Sequence, residues 1–257
     1  MTRVQRILSW IPNCIFWLVF GLILVIFHPL QVIALKISQA AHTRVVNSMI
    51  WCLNTSLILV GNRITYHLDL SSIPLDRPLI IASNHQSMFD IPAIGWAFRA
   101  YRPKYIAKSG LKNGIPSISY NIRNGGSTTV KLNAPKEAVT AIKAFGKEVY
   151  ERKDMAVIFP EGARSRNGVP REFKATGLKV LLENMPNAVV IPVVLHNFWK
   201  FERYRCKPVP FGTHKHLHML TPITDTHNIE EVVASVGDQI NQKLLELNGI
   251  SNWDSYK

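Results

Sequence analysis

Pro78-Leu79-Ile80-Ile81-Ala82-Ser83-Asn84-His85-Gln86-Ser87-Met88-Phe89-Asp90 sets an uncharged apolar run directly before a cluster of polar side chains. A short run of this kind reads as a strand buried on both faces, as in a parallel sheet flanked by helices. About 75 residues on, Met155-Ala156-Val157-Ile158 leads in the same way into Phe159-Pro160-Glu161-Gly162-Ala163-Arg164-Ser165-Arg166. Both polar clusters therefore fall where a strand ends, which is where ligand chemistry collects in α/β sheets.

Working outward, β-branched runs alternate with amphipathic stretches after Gly61. Strands are expected at 63–70, 78–82, 104–107, 128–132, 155–159, 188–194 and 216–220, and helices at 90–99, 135–152, 174–184 and 229–247. In the second helix Ala138, Ile142, Phe145 and Val149 recur at helical spacing, with Lys136, Lys143, Lys147 and Lys153 elsewhere, so it covers the sheet and turns a basic face outward. The expected fold class is α/β, a single layered domain with a mixed, mostly parallel sheet covered by helices. The one boundary is near Asn62, dividing a membrane-anchoring helical region (1–61) from the α/β domain (62–257).

The anchoring region is read from residues 7–27, about 21 positions without a charge, long enough to cross a hydrocarbon core about 30 Å thick. The run exceeds the apolar core of a signal peptide, and the candidate cleavage site Ser38-Gln39-Ala40 lies late. A milder apolar stretch, 45–61, is expected to lie on the membrane or pack against the first. Arg3 and Arg6 precede the run and Lys36 and Arg44 follow it, so charge bias leaves orientation open. A hairpin entering one leaflet would keep both ends, and the catalytic domain, on the cytoplasmic side.

The net charge of +13, from 30 Lys and Arg against 17 Asp and Glu, favours anionic partners such as lipid headgroups and phosphorylated substrates. Asn197-Phe198-Trp199-Lys200-Phe201-Glu202-Arg203-Tyr204-Arg205 interleaves bases and aromatics, but beside an apolar N-terminus it suits a membrane interface or a donor site, and no nucleic-acid partner is expected. Cys14, Cys52 and Cys206 form no disulfide framework and are read as reduced. His214, His216 and His218 alternate on one expected strand face, but no carboxylate or thiolate ligand lies near them in sequence, and no metal is expected.

The chemistry rests on the two polar clusters. His85 and Asp90 would lie about 140° apart on a regular helix, so their meeting needs a turn before the helix begins, with Ser87 as its N-cap. In such a turn Asp90 accepts one imidazole N–H, fixes the tautomer and stabilises the imidazolium formed when His85 takes a proton. The Arg164 guanidinium suits bidentate contact with a phosphate, and Glu161 can hold a hydroxyl or a basic neighbour.

These residues resemble the glycerolipid acyltransferase family, whose signature couples Asn-His-x-Ser-x-x-Asp with Phe-Pro-Glu-Gly-Thr-Arg-Ser at a similar separation. The branch that acylates 1-acylglycerol 3-phosphate fits best, and the likeness covers roughly residues 62–194. The resemblance implies that His85, oriented by Asp90, is general base on the free glycerol hydroxyl, which attacks the thioester of an acyl-CoA or acyl-carrier-protein donor without an acyl-enzyme. It implies that Arg164 contacts the acceptor phosphate, with Glu161, Gly162 and Ser165 shaping its site, and that no cofactor is needed. Gly126-Ser127-Thr128-Thr129-Val130-Lys131 resembles the family's second block, with Val130-Lys131 where Asp-Arg is common, which brings in Lys131. Phe173-Lys174-Ala175-Thr176-Gly177 brings in Lys174, and Ile191-Pro192-Val193 resembles the fourth block. Gly110 and Ala163 replace a frequent Glu and Thr. The partners implied are membrane lipids, a lysophospholipid acceptor and the thioester donor. Glycerol 3-phosphate, another lysophospholipid or an amino-acid lipid are rival acceptors. A metal-dependent phosphoesterase and a non-catalytic lipid-binding protein are the rivals from other classes.

Overall fold

The computed structural model describes residues 10–131 and 133–256. Arg3, Arg6 and residues 7–9 of the expected apolar run, and Leu132 of the expected fourth strand, lie outside the described residues. The strands are β1 (Arg63–His67), β2 (Leu79–Ser83), β3 (Pro103–Lys108), β4 (Thr128–Val130), β5 (Met155–Ile158), β6 (Val189–His196) and β7 (His214–Met219). The helices are α1 (Trp10–Ile37), α2 (Gln39–Ser56), α3 (Asp90–Ala97), α4 (Ile118–Asn124), α5 (Pro135–Arg152), α6 (Ala175–Asn184) and α7 (Ile229–Asn248).

All seven strands join one sheet in the order β1-β7-β6-β2-β5-β3-β4. Every pair is parallel except β6 with β7, so the sheet is mixed and mostly parallel, the expected fold class. Strand β2 is central and buried along its length, between β5 and β6. The period-2 pleat sorts its side chains into two cores. Leu79 and Ile81 join a cluster with α1, α2 and α3, while Ile80 and Ala82 join one with α5, α6 and α7. Helix α5 buries Ile142, Phe145 and Val149 and leaves Lys136, Lys143 and Lys147 exposed, as its spacing predicts.

The N-terminal region departs from its expected bounds. Helix α1 continues past Phe27 and through Pro29 to Ile37, because Leu30, Ile33 and Ile37 extend the apolar pattern beyond the proline. Helix α2 starts earlier than residue 45 because Ser38 caps it, its Oγ accepting the Ala41 N–H at 3.0 Å. It ends in a 3-10 turn (Leu57–Val60) closed by Gly61 at φ +66. The short α4 has no counterpart in the sequence reading.

Both N-terminal segments are long and apolar enough to cross a membrane, and α1 shows two unlike faces. Phe16 and Leu24 are buried against the protein, and Asn13 brackets Val209 by accepting its N–H at 2.6 Å and donating to its carbonyl at 3.0 Å. The other face exposes Ile11, Ile15, Leu18, Leu22, Val25, Ile26 and Ile33. The Phe16 ring lies 5.8 Å from Phe201 and 6.1 Å from Phe89, so α1 and the sheet share one core.

Phe16→Ala is expected to cost about 3–5 kcal/mol, the usual result of emptying a buried phenylalanine site. A thermal unfolding scan in detergent checks this; an unchanged midpoint would mean that α1 is not docked on the sheet domain.

Candidate active site

The end of β2 is steered by Asn84. Its Oδ1 accepts the Leu195 N–H at 2.7 Å and its Nδ2 donates to the Leu195 carbonyl at 2.9 Å, continuing the β2–β6 ladder one residue beyond the strand with a side chain. The chain then turns, and His85 leaves the sheet with its backbone held on both sides. Its N–H donates to Glu161 Oε1 at 3.1 Å, and its carbonyl accepts the Ser165 N–H at 2.7 Å. The two clusters legible in the sequence are thus joined through the backbone of His85.

Asp90 opens α3 and is fully buried. Its Oδ2 accepts the N–H groups of Gln86 at 2.5 Å and Ser87 at 2.8 Å and stands 2.7 Å from His85 Nδ1. A carboxylate that already accepts two backbone N–H groups also accepts a hydrogen bond from the imidazole Nδ1–H, which leaves Nε2 as the basic nitrogen. The ring stacks on Phe159 at a centroid distance of 4.3 Å, and 16% of the side chain is open to solvent. The expected turn is present, but Ser87 is not the N-cap. The helix starts at Asp90, Ser87 Oγ accepts the Phe89 N–H at 3.2 Å, and the carboxylate itself ties the turn.

After β5 the chain turns tightly, Gly162 donating to the Phe159 carbonyl at 3.0 Å with φ +66, a conformation that disfavours a Cβ. Glu161 is buried, its Oε2 accepting the Arg171 N–H at 2.9 Å while Oε1 serves His85. Burial pushes its carboxyl up to about 7, against the pull of those two backbone donors. Ser165 is buried as well, its Oγ 3.3 Å from Asn167 Oδ1. The polar side-chain atoms of both are taken up by the protein, Glu161 by the backbone N–H groups of His85 and Arg171 and Ser165 by Asn167, so both hold the turns of the site in place.

Arg164 is 37% exposed and donates from Nη1 to Glu202 Oε1 at 2.8 Å. No other hydrogen bond of the guanidinium is seen among the described residues. Glu202 Oε1 also accepts the Met88 N–H at 2.9 Å, so one carboxylate aims the guanidinium and holds the turn that carries the base. Gln86 Oε1 accepts the Trp199 N–H at 3.3 Å, a second link to the segment after β6. The sequence reading missed Glu202 as a site residue; its signal was a single acid among the bases of residues 197–205.

Lys174 precedes α6, donates its N–H to the Pro160 carbonyl at 3.0 Å and runs its side chain past Gly162. Lys131 is not brought in. It lies beyond β4 at the sheet edge, three strands from β2, and its exposed ammonium pairs with Glu137 at 3.0 Å. Strand β4 ends at Val130, so Lys131 stands in the turn that leads to α5.

A buried carboxylate, an oriented imidazole and an exposed guanidinium at the carboxyl ends of parallel strands make a candidate general-base site beside an anion site. A family model described as Acyltransferase matches residues 63–196, just over half of the chain, and the chain belongs to that family. It is 26% identical over 155 residues to a 1-acyl-sn-glycerol-3-phosphate acyltransferase of Cocos nucifera, covering 59% of this chain and 48% of that protein. A protein of the same name from Borreliella burgdorferi is 28% identical over 200 residues, 75% of this chain and 76% of its own. The chain spans about half the length of the first of these relatives. The crystal structure of the 1-acyl-sn-glycerophosphate (LPA) acyltransferase from Thermotoga maritima superposes with a TM-score of 0.76, covering 97% of this chain and 99% of that one. At 20% identity that likeness is one of fold.

Replacing Glu161 by Gln tests its place in the clamp. An acid whose carboxyl is raised from 4.5 to about 7 on folding binds more protons folded than unfolded in that window, so it makes stability fall as pH rises from about 4.5 to about 7. Glu161→Gln is expected to flatten that slope and, by setting an NH2 against a backbone donor, to lower stability by about 1–3 kcal/mol at pH 5. Urea midpoints of both proteins at pH 5 and pH 7.5 read both effects.

Proposed function

We propose that this protein transfers an acyl chain from a thioester, acyl-CoA or acyl-carrier protein, to the free glycerol hydroxyl of 1-acylglycerol 3-phosphate, giving phosphatidic acid. The observation that carries the reading is the 2.7 Å contact between His85 Nδ1 and a fully buried Asp90, locked by the second motif against the same backbone. In the proposed reaction His85 Nε2 takes the hydroxyl proton as the oxygen bonds to the thioester carbonyl carbon. Collapse of the tetrahedral intermediate breaks the C–S bond, and the imidazolium returns its proton to the leaving thiolate. Asp90 supports the imidazolium and keeps the ring in one tautomer.

The transfer is direct and needs no cofactor. Burial and the nearby Glu202 carboxylate push the Cys206 thiol up to about 11, so it stays protonated and is a poor nucleophile at neutral pH. The acceptor phosphate docks on Arg164, whose fork Glu202 holds outward, with Gly162 and Lys174 lining the same turn. The exposed apolar face of α1 enters one leaflet while the other face stays docked on the enzyme, which holds the catalytic domain at the cytoplasmic surface. Basic side chains then add attraction to anionic lipid of about 1 kcal/mol each near the surface.

Thiol release from palmitoyl-CoA or palmitoyl-acyl-carrier protein, with lysophosphatidic acid, glycerol 3-phosphate or no acceptor, tests the reaction. Release is expected to need lysophosphatidic acid and to fall by about 10²–10⁴ in His85→Ala. Persistent release in that variant would remove His85 as the base, and preference for glycerol 3-phosphate would replace the acceptor. Arg164→Lys is expected to raise KM for the acceptor with a smaller effect on kcat, because the planar fork is lost and the charge kept. In flotation with anionic liposomes, Leu18→Asp with Leu22→Asp is expected to shift the protein from the floating to the soluble fraction.

A further inference from the structure

On the side of the sheet away from α1, β1 and β7 bring histidines together from distant parts of the chain. His67 stands directly opposite His218 in the parallel register, and Thr65 opposite His216, so the three imidazoles share one face. The strand reading weighed β7 by itself and met no further ligand; folding supplies His67. We propose that His67, His216 and His218 form a binding site for one divalent transition-metal ion of the zinc class, separate from the acyl-transfer site.

One ligand atom from each ring lies within 4.8 Å of the others. His67 Nε2 and His216 Nδ1 are 3.2 Å apart, close to the edge of about 3.3 Å expected between two nitrogens on a tetrahedral ion with bonds of about 2.0 Å. The His67 and His218 rings are stacked, with centroids 4.1 Å apart and planes parallel, so the exposed His67 ring must turn for both in-plane lone pairs to meet on one ion. The widest pair needs to close by about 1.5 Å to reach that tetrahedral edge. His218 Nε2 is buried and has no hydrogen-bond partner, a position that a metal bond would satisfy. Lys243 on α7 faces His218, but its ammonium is engaged by Glu246 at 2.7 Å. His67 is exposed, giving the ion a path in and room for a water as fourth ligand.

Three imidazoles without a thiolate or carboxylate suit Zn(II), Cu(II) and Ni(II) over Mg(II) or Ca(II). Bound there, the ion would pin the edge strand β1 to β7 and so stiffen the sheet where α2 delivers the chain into it. His214 is the neighbour that does not take part, since its Nε2 is engaged by Thr65 Oγ1 at 2.7 Å.

The test uses the full chain without an affinity tag, in detergent, treated with EDTA and then freed of it. Titration with Co(II) at pH 7.5 is expected to give one equivalent with the visible absorption of a tetrahedral site, displaced by Zn(II), and Zn(II) is expected to raise the unfolding midpoint. His67→Asn and His218→Asn are each expected to weaken binding by at least about 100-fold, while His214→Asn keeps it. Acyl transfer by His67→Asn, expected to be unchanged because β1 lies three strands from β2, reports that the variant is folded. No saturable Co(II) binding, or binding that survives both His67→Asn and His218→Asn, would overturn the site. Loss in His214→Asn equal to that in His67→Asn would mean diffuse binding along β7 and would also overturn it.

Discussion

The hold of the second motif on the backbone of His85 is the contact on which the rest of the site depends. An imidazole base is useful only when its free nitrogen points where the hydroxyl arrives, and a side chain on a turn has no such guarantee. Here the turn is tied through its own N–H and carbonyl, by Glu161 and by the Ser165 amide, and its far end is tied by Asp90. That hold fixes the His85 backbone beyond the end of β2, which Asn84 steers, and keeps the ring stacked on Phe159. The raised carboxyl of Glu161 measures what it costs to bury an acid for positioning.

The same logic extends to the membrane side. Phe89 belongs to the turn that carries the base, Phe201 to the segment that carries Glu202, and both pack on Phe16 of α1. Helix α1 thus packs against the two segments that carry His85 and Glu202. Under the proposed function, an acceptor lying in the leaflet would need only a short displacement to reach that site. The contrast between the faces of α1, one packed by aromatics and one bare and apolar, makes this a docked helix and not an independent span.

Much of this was legible from residue order. The strands at 78–82 and 155–159 and the helix at 135–152 follow from apolar patterning and stand within a residue or two of where the spacing puts them. The dyad and the arginine were legible because His85, Asp90 and Arg164 sit in short motifs at strand ends. Three features were not. The run of α1 through Pro29 depends on apolar surroundings that tolerate a missing N–H, which no local signal reports. The short α4 has too few residues to show a period. The place of Lys131 was the third, because strand order is set by crossover connections and not by position in the chain, and it put β4 at the sheet edge.

By itself the sequence determined the alternation of strands and helices, the long uncharged apolar segment ahead of them and the chemical types at the strand ends. Periodicity and side-chain chemistry are local properties that the backbone imposes over a few residues. Only the tertiary structure decided that Glu161 and Ser165 position the base, that Glu202 joins them, and that His67 meets His216 and His218. Those contacts depend on which strands lie side by side, and that is fixed by burial of the whole chain, where a carboxylate or an imidazole finds its partner across more than a hundred residues of intervening sequence.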